Sequence, residues 1–275
     1  MKLEMLFDNP EGKIFIIEGL PGIGKSTLLN NKYKSLNSLY HCECYREETT
    51  QPLDLFRQAV LLKSVLNSKI ESFLQRHPYC KSSFESWLNR NSYSIGDYVF
   101  VAYTQIDCNN EPVKEFAATL KRYDLGDGRS SLEQYTYYHK MVWKNFIEKI
   151  YDPQKVYLSE GALFHNQLFD LIGFYKLSDL QLCEYYNELL AEIKDVDIRI
   201  IFIGANDTEL LLHQTFQIRP NWYSQLENWL MYAPWAKEEK LQGEIGMISL
   251  YNRIQNAHLM LQKELGLDVK HLSRC

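Results

Sequence analysis

Residues 19–27 (GLPGIGKST) combine three glycines with a lysine and two hydroxyl side chains. Within them, the spacing Gly19-x-x-x-x-Gly24-Lys25-Ser26 matches the phosphate-loop pattern. Glycine adopts backbone conformations that a side chain forbids, so successive amide N–H groups can curl around phosphate oxygens. A helix that begins near Ser26 adds the positive end of its dipole to the same anion. The pattern predicts a binding site for the phosphates of a nucleoside triphosphate.

Two side chains of this stretch have expected roles of their own. Lys25 would place its charge on the β- and γ-phosphates, and the Ser26 hydroxyl is a natural Mg²⁺ ligand. ATP and Mg²⁺ are therefore the predicted cofactors, and the choice between ATP and GTP stays open. The predicted ligand-binding residues of the loop are Gly19, Pro21, Gly22, Ile23, Gly24, Lys25, Ser26 and Thr27.

A phosphate loop needs a buried strand before it and a helix after it, and the sequence predicts both. Residues 13–18 form a short apolar run with β-branched side chains, which is typical of a strand buried on both faces. Residues 26–34 are predicted to be helical. Four more strands are predicted, at residues 39–45, 155–159, 197–204 and 267–272.

Apolar residues at helical spacing fill most of the intervals between these strands. Ser178 and Gln181 form a predicted capping box at the start of one such helix. The same spacing predicts helices near 132–150 and 247–265, the second of which ends at Gly266. Strands that alternate with helices indicate right-handed βαβ units and a parallel sheet.

Residues 46–151 interrupt this alternation between the second and third strands. We interpret them as a mostly helical insertion, with a long helix over 53–75 and a preference for helix over strand at 97–106. Residues 213–245 are predicted to form a helical lid that closes over the site. The predicted fold is therefore a single α/β domain, 1–275, of the P-loop NTPase type, with about five parallel strands flanked by helices.

Composition limits the kinds of binding partner and the cellular compartment that we expect for this protein. The formal net charge of the 275-residue chain is −5, and no run of Lys and Arg would track a phosphate backbone, which disfavours extended nucleic acid as a partner. No apolar stretch approaches the roughly 18 residues of a membrane span, and the start carries no signal-peptide pattern. The six cysteines lack the spacing of a disulfide framework. We expect a cytoplasmic protein with reduced thiols, whose oligomeric state the sequence leaves open.

Other phosphate-loop classes lack support in the sequence. GTPases read their base with an Asn-Lys-x-Asp segment, which the chain does not contain. Ring-forming and transporter-type ATPases usually carry a hydrophobic strand that ends in Asp-Glu. Here the third predicted strand is followed by the single acid Glu160, and the fourth ends at Gly204. These departures favour a small-molecule kinase.

Four stretches, at residues 17–27, 45–52, 158–170 and 206–222, together resemble the thymidylate kinase and deoxynucleoside kinase group. The chain also looks like a bacterial branch of such kinases that has Glu-Gly-x-x-Phe-x-Asn after the third strand. Residues 17–27 (IEGLPGIGKST) look like the group's opening, and residues 45–52 (YREETTQP) are similar to its Glu-Pro stretch that faces the acceptor. Residues 158–170 (LSEGALFHNQLFD) are placed like its acidic-Arg motif, and residues 206–222 like the helix that leads into an arginine-bearing lid. The resemblance covers most of the predicted sheet and little of residues 53–150.

The resemblance implies roles for charged residues near the carboxyl ends of the strands, where ligands gather in a parallel sheet. Glu47 or Glu48 can accept the proton of an acceptor hydroxyl, and Glu160 can hold Mg²⁺ through water or act as that base. Arg219 can neutralise the transferring phosphoryl group, and Arg253 is a second lid candidate for nucleotide binding. Which carboxylate is the base stays open. The predicted catalytic residues are Lys25, Glu160, Glu47 and Arg219, and the predicted metal ligands are Ser26 and Glu160.

One departure from the resemblance concerns the acceptor. The kinase group typically has Arg directly after the acid of the third strand, and this chain has Gly161. A phosphorylated acceptor loses a natural anchor, which favours a neutral hydroxyl such as that of a nucleoside or an antibiotic over a nucleotide. The predicted function is an ATP- and Mg²⁺-dependent phosphotransferase (kinase) acting on a small molecule. The alternatives are a nucleotide-binding regulatory or ATPase protein without a metabolite acceptor, and a nucleic-acid end kinase.

Overall fold

The protein is a mixed α/β structure, seen here in a computed structural model that describes residues 6–47, 49–106 and 110–274. Within these ranges no helix is both long enough and apolar enough to cross a membrane. The strands are β1 (Lys13–Gly19), β2 (Cys42–Tyr45), β3 (Gln58–Leu62), β4 (Ser92–Ile95), β5 (Tyr98–Ala102), β6 (Val156–Glu160), β7 (Asp197–Ala205) and β8 (Val269–Arg274). The helices are α1 (Lys25–Leu36), α2 (Lys63–Arg76), α3 (Lys81–Asn91), α4 (Glu111–Leu120), α5 (Leu132–Asn145), α6 (His165–Gly173), α7 (Asp179–Glu192), α8 (Thr208–Ile218), α9 (Pro220–Tyr232), α10 (Pro234–Glu238) and α11 (Gly243–Glu264).

The chain divides into two compact units, the first formed by residues 1–46 and 146–275 and the second by residues 47–145. The first unit is built on a five-stranded sheet of order β2-β6-β1-β7-β8, in which every pairing is parallel. All five strands fall where the sequence predicted them. The α/β architecture with a parallel sheet flanked by helices is therefore confirmed.

The central position of β1 explains its apolar sequence. Its side chains are buried on both faces of the sheet because helices cover both. On one face, Phe15 and Ile17 pack with Leu29 of α1 in one hydrophobic core. On the other face, α11 contacts both α6 and α7, and Phe202 of β7 packs edge-on against His258 of α11.

Strand order also determines where the connections leave the sheet. The chain leaves β1 toward β2 at one edge and leaves β7 toward β8 at the other edge. Connections from two neighbouring strands thus diverge at their carboxyl ends, and open α/β sheets bind ligands in such a crevice. The residues that follow β1 lie at this position.

Helix α7 begins at the predicted capping box. The Ser178 hydroxyl accepts a hydrogen bond from the Gln181 amide at 3.3 Å, and the Gln181 side chain accepts one from the Ser178 amide at 3.0 Å. Two backbone N–H groups that have no acceptor within the first helical turn are thereby hydrogen-bonded. This local prediction is confirmed.

The second unit contains an antiparallel sheet of order β3-β5-β4 that the sequence did not predict. The preference for helix at residues 97–106 was wrong, because β5 lies there, and the long helix expected over 53–75 begins only at Lys63. Val99 and Val101, which share one face of β5, are buried in the hydrophobic core of this unit. Gly96, in a positive φ conformation, starts the two-residue turn between β4 and β5, a hairpin signal that pointed to strand.

The positions of these elements bear on two predictions, the helical lid and the helical insertion. Helices α8, α9 and α10 occupy most of residues 213–245, so the predicted lid is helical, but its closure stays a prediction. The insertion 46–151 contains the second unit, and its described residues include the α-helices α2, α3, α4 and α5 beside the sheet. The interpretation of the chain as one domain also stays a prediction.

Candidate functional site

The glycine loop, residues 19–24, joins β1 to α1 at the carboxyl edge of the parallel sheet. All three of its glycines have positive φ: 142° at Gly19, 76° at Gly22 and 104° at Gly24. Other residue types adopt such angles only with strain, so the backbone path of the loop depends on glycine. The sequence signal and the local geometry therefore agree.

Two of these glycines also have no room for a side chain. A Cβ at Gly19 would lie 2.5 Å from the carbonyl oxygen of Ile203 on β7. A Cβ at Gly22 would overlap the side chain of Thr215 on α8. The loop is thus enclosed between the neighbouring strand and a helix of the predicted lid region.

Helix α1 starts without a side-chain cap among the described residues. Its N-cap is Gly24, which has no side chain to accept a hydrogen bond, and its first turn carries no acid. The exposed Ser26 and Thr27 lie in that turn. Amides at such a helix start attract an anion, because they have no intrahelical partner and sit at the positive end of the dipole.

Lys25 folds back onto the glycine loop. Its ammonium group donates hydrogen bonds to the carbonyl oxygens of Gly19 at 3.0 Å and Leu20 at 3.4 Å, and the residue is buried. The positive charge therefore lies at the loop itself. Burial raises the pKa of Glu18 and lowers that of His165; the charge of Lys25 opposes the first shift and adds to the second.

The two apolar members of the loop anchor it to the protein interior. Pro21 and Ile23 are both buried, and Ile23 packs in the hydrophobic core beneath α1. They are held inside the protein, whereas Ser26 and Thr27 face its surface. Pro21 and Ile23 contribute to this site through the shape of the backbone.

Glu160 lies at the end of the strand next to the glycine loop. In the register of β1 and β6, Glu160 pairs with Ile17, two residues before Gly19. The residue is buried. Burial raises the pKa of the nearby Cys44 thiol, Arg46 opposes this shift, and the charge of Glu160 adds to it. The predicted adjacency of the third predicted strand and the loop is therefore observed.

The end of β2 brings a basic residue to α1. Arg46 donates two hydrogen bonds to the Asn30 side chain, at 2.6 and 3.1 Å. Glu47 is the first residue of the second unit, and Glu48 lies outside the described residues. The catalytic roles expected for these two acids stay predictions.

The two predicted lid arginines have different surroundings. Arg219 is exposed at the junction of α8 and α9, and its guanidinium forms no ion pair within the described part of the chain. It follows Thr215 by one helical turn, and its amide donates to the Thr215 carbonyl at 3.0 Å. Arg253 lies on α11 and pairs with Asp179 at 2.5 Å, at the start of α7.

Glu18 is a buried acid within β1, and the sequence patterns did not predict a role for it. Its carboxylate accepts hydrogen bonds from the amides of Leu163 at 3.1 Å, Phe164 at 3.0 Å and His165 at 3.0 Å. Complete burial raises its pKa from 4.5 to about 7, although the three amides and Lys25 oppose the shift. An acid inside a run of buried β-branched residues was the signal that could have drawn attention to it.

A small cavity of about 10 Å³ separates Glu18 from α11 and is about large enough for one water molecule. Gln255 and His258 line it, and Gln255 Oε1 and His258 Nε2 are buried without a hydrogen-bond partner among the described residues. Burial lowers the pKa of His258 to about 3, helped by His271. The His258 ring is therefore neutral at ordinary pH.

Metal ligands of the usual protein kinds do not cluster in the described ranges. Neither the loop nor the rest of that part of the chain contains three or more His, Cys, Asp or Glu side chains placed to hold an ion. A magnesium ion held by Ser26 and Glu160 would need its other ligands from phosphate oxygens and water, which is how Mg²⁺ commonly binds.

Similarity searches add no family to this description. A scan against protein-family models, a search of curated proteins and a search of solved structures each found no match.

Proposed function

We propose that the protein is a phosphotransferase that binds a nucleoside triphosphate with Mg²⁺ and transfers a phosphoryl group to a hydroxyl of a small molecule. The observation that carries the proposal is the junction of β1 and α1. A loop of three positive-φ glycines leads there into a helix start without a side-chain cap, and the ammonium of Lys25 lies against the loop. Each of these features suits a phosphate chain. We also propose that the protein is related to the thymidylate kinase and deoxynucleoside kinase group, which its sequence resembles.

The residues present fit a triphosphate. Gly24, the N-cap of α1, has no side chain that could cap the first amides of the helix, and Lys25 supplies a positive charge beside them. The exposed hydroxyls of Ser26 and Thr27 lie in the same turn. When bound, the triphosphate supplies the transferable phosphoryl group, and the glycine loop and Lys25 bind and orient it.

Ser26 and Glu160 are the residues that would hold Mg²⁺. A hydroxyl and a carboxylate are hard oxygen donors, which this ion prefers. When bound, Mg²⁺ would neutralise phosphate charge. The alternative role for Glu160 is to accept the proton of the acceptor hydroxyl, and Glu47 and Glu48 are the other candidates for that role.

Arg219 is the residue we assign to charge stabilisation. Its guanidinium is exposed and forms no ion pair with another described residue, so binding to an anion would break no ion pair. One helical turn away, Thr215 contacts Gly22 of the glycine loop. Arginine stabilises the charge of a transferring phosphoryl group in many phosphoryl-transfer enzymes.

Replacement of Lys25 tests the site. Calorimetry with Mg·ATP and Mg·GTP should detect binding to the wild-type protein, and Lys25→Ala should abolish turnover while the far-ultraviolet spectrum is retained. Lys34→Ala, at the exposed far end of the same helix, is the matched control and should behave like the wild type. A folded Lys25→Ala protein with full phosphotransfer would contradict the proposal.

Glu160→Gln separates a kinase from a nucleotide-binding regulator. A kinase should lose acceptor-dependent ADP release and keep nucleotide binding, whereas a regulator has no acceptor-dependent release to lose. The acceptor screen should cover nucleosides, nucleotides, aminoglycosides, other antibiotics and sugars. Oligonucleotide ends belong in the same screen, because a nucleic-acid end kinase would bind them with a steep dependence on salt concentration.

A further inference from the structure

Glu18 links the strand before the glycine loop to the segment that follows Glu160. One carboxylate oxygen accepts from the amides of Leu163 and Phe164, and the other accepts from the amide of His165. These three donors belong to the turn between β6 and α6 and to the first residue of α6. A single side chain of β1 therefore organises the start of a helix that lies about 145 residues later.

The N-cap residue of helix α6 provides no side-chain cap. That residue is Phe164, whose side chain cannot accept a hydrogen bond. A helix start leaves amides unpaired, and a carboxylate is the acceptor that best matches their partial positive charge. Glu18 supplies that acceptor from a different element of the sheet.

The same turn is attached to β1 at a second point. The amide of Gly161 donates to the carbonyl oxygen of Ile17 at 3.0 Å. Glu160 immediately precedes this bond, and the amides bound by Glu18 begin two residues after it. The backbone that carries Glu160 is therefore tied to the strand that continues into the glycine loop.

Charged and titratable groups approach Glu18 from every helix packed around it. Lys25 of α1 favours its ionised form, and His165 of α6 and His258 of α11 line the same cavity. Tyr186 of α7 donates to the Leu163 carbonyl at 2.9 Å, and Glu18 contributes to the raised pKa of its hydroxyl. The carboxylate is thus enclosed by neutral or cationic groups and has no exposure to solvent.

We propose that Glu18 is a positioning residue for phosphoryl transfer: its carboxylate holds the turn after β6, and with it Glu160, in place beside the glycine loop. The inference rests on the proposed function, because it assigns Glu18 to the same site. Glu18 touches no reacting group in this scheme and acts through the backbone amides of residues 163–165.

Glu18→Gln removes the ionised oxygen and places an N–H₂ group opposite at least one amide donor. We expect kcat to fall by about 10- to 100-fold, because small misplacements of catalytic groups are that costly. The dissociation constant of Mg·ATP should stay close to the wild-type value, since the glycine loop and Lys25 are unchanged. Tyr186→Phe is the matched control: it removes one hydrogen bond to the same turn, at Leu163, and keeps all three amide contacts.

The comparison of these variants decides between positioning and general stability. If Glu18→Gln lowers kcat and Tyr186→Phe, at a similar drop in melting temperature, does not, the inference is supported. If both variants lose kcat in proportion to stability, or if Glu18→Gln leaves kcat unchanged, the inference is wrong.

A measurement on the wild-type protein covers the case in which Glu18→Gln does not fold. Hydrogen exchange followed residue by residue should show that the amides of Leu163, Phe164 and His165 are strongly protected, because they donate to a buried carboxylate. Rapid exchange at these three amides would overturn the inference. Because this measurement needs no nucleotide, it can succeed in a protein that fails to bind Mg·ATP, and the two proposals are tested separately.

Discussion

Thr215 of α8 packs directly against Gly22 of the glycine loop, so closely that a methyl group on Gly22 would overlap its side chain. The Thr215 hydroxyl donates to the Leu211 carbonyl at 2.8 Å, which orients the side chain within its own helix. The loop and the first helix of the predicted lid region are therefore in contact. The position of α8 and the conformation of the loop depend on each other.

Gly22→Ala should displace α8 or the loop. It combines positive φ with a steric overlap, so we expect a loss of about 2–4 kcal/mol in the free energy of unfolding and a marked loss of Mg·ATP affinity. Gly266→Ala is the matched control, because it has a similar φ of 62° and open space around a Cβ. Urea denaturation and calorimetry of both variants provide the comparison. Equal destabilisation by the two substitutions would mean that the contact with Thr215 contributes nothing.

Arg219→Ala should separate function from stability. The side chain is exposed and forms no ion pair in the described part of the chain, so the free energy of unfolding should change by less than about 0.5 kcal/mol. Phosphotransfer should fall by at least about 10²-fold if Arg219 stabilises transition-state charge. Lys237→Ala removes another exposed cation of the lid region and should leave turnover unchanged. Equal activities of the two variants would mean that Arg219 does not take part in phosphotransfer.

His258 should make the protein less stable in acid. Its folded pKa of about 3 lies below the ordinary value of 6.5, so the unfolded chain binds more protons between these values. The contribution of the neutral ring to the free energy of unfolding is fully present above pH 6.5. It falls by about 1.4 kcal/mol per pH unit as the pH drops toward 3.

His258→Leu isolates this contribution. Glu18 titrates with the opposite sign, because its folded pKa is raised, but it is present in both proteins and cancels in the difference. Urea denaturation at several pH values from 4 to 8 on both proteins provides the test. Wild-type stability relative to the variant should decrease below pH 6.5 and stay constant above it, and parallel curves across the whole range would contradict the prediction.

Tyr103→Phe should destabilise the second unit. The Tyr103 hydroxyl donates to Asp124 at 2.5 Å, and Asp124 is buried, which raises its pKa despite that hydrogen bond. Removal of the donor should reduce the free energy of unfolding by about 1–3 kcal/mol. Hydrogen exchange of the β3 and β5 amides reports this loss locally. The exposed Tyr79 offers a control in the same unit, and equal exchange in Tyr79→Phe and Tyr103→Phe would refute the prediction.

Local patterns were sufficient to predict the parallel sheet and the glycine loop. The apolar strand before Gly19, the glycine spacing and the capping box at Ser178 each depend on residues close together in the chain, and each appears in the structure. Hairpin geometry in the second unit was missed, although Gly96 signalled its turn. Helical and strand patterns are hard to separate in short apolar runs, because strand pairing then decides between them.

The sequence by itself determined the strands of the parallel sheet and the glycine spacing of the loop, since hydrophobic periodicity and glycine conformation act over a few residues. Only the tertiary structure decided what Glu18 binds and which side chain encloses Gly22. Glu18 and the amides of α6 are about 145 residues apart, and Thr215 follows Gly22 by more than 190 residues. Burial removes water from the Glu18 carboxylate and leaves it the backbone amides as partners, whereas close packing between distant segments decides which side chain lies against Gly22.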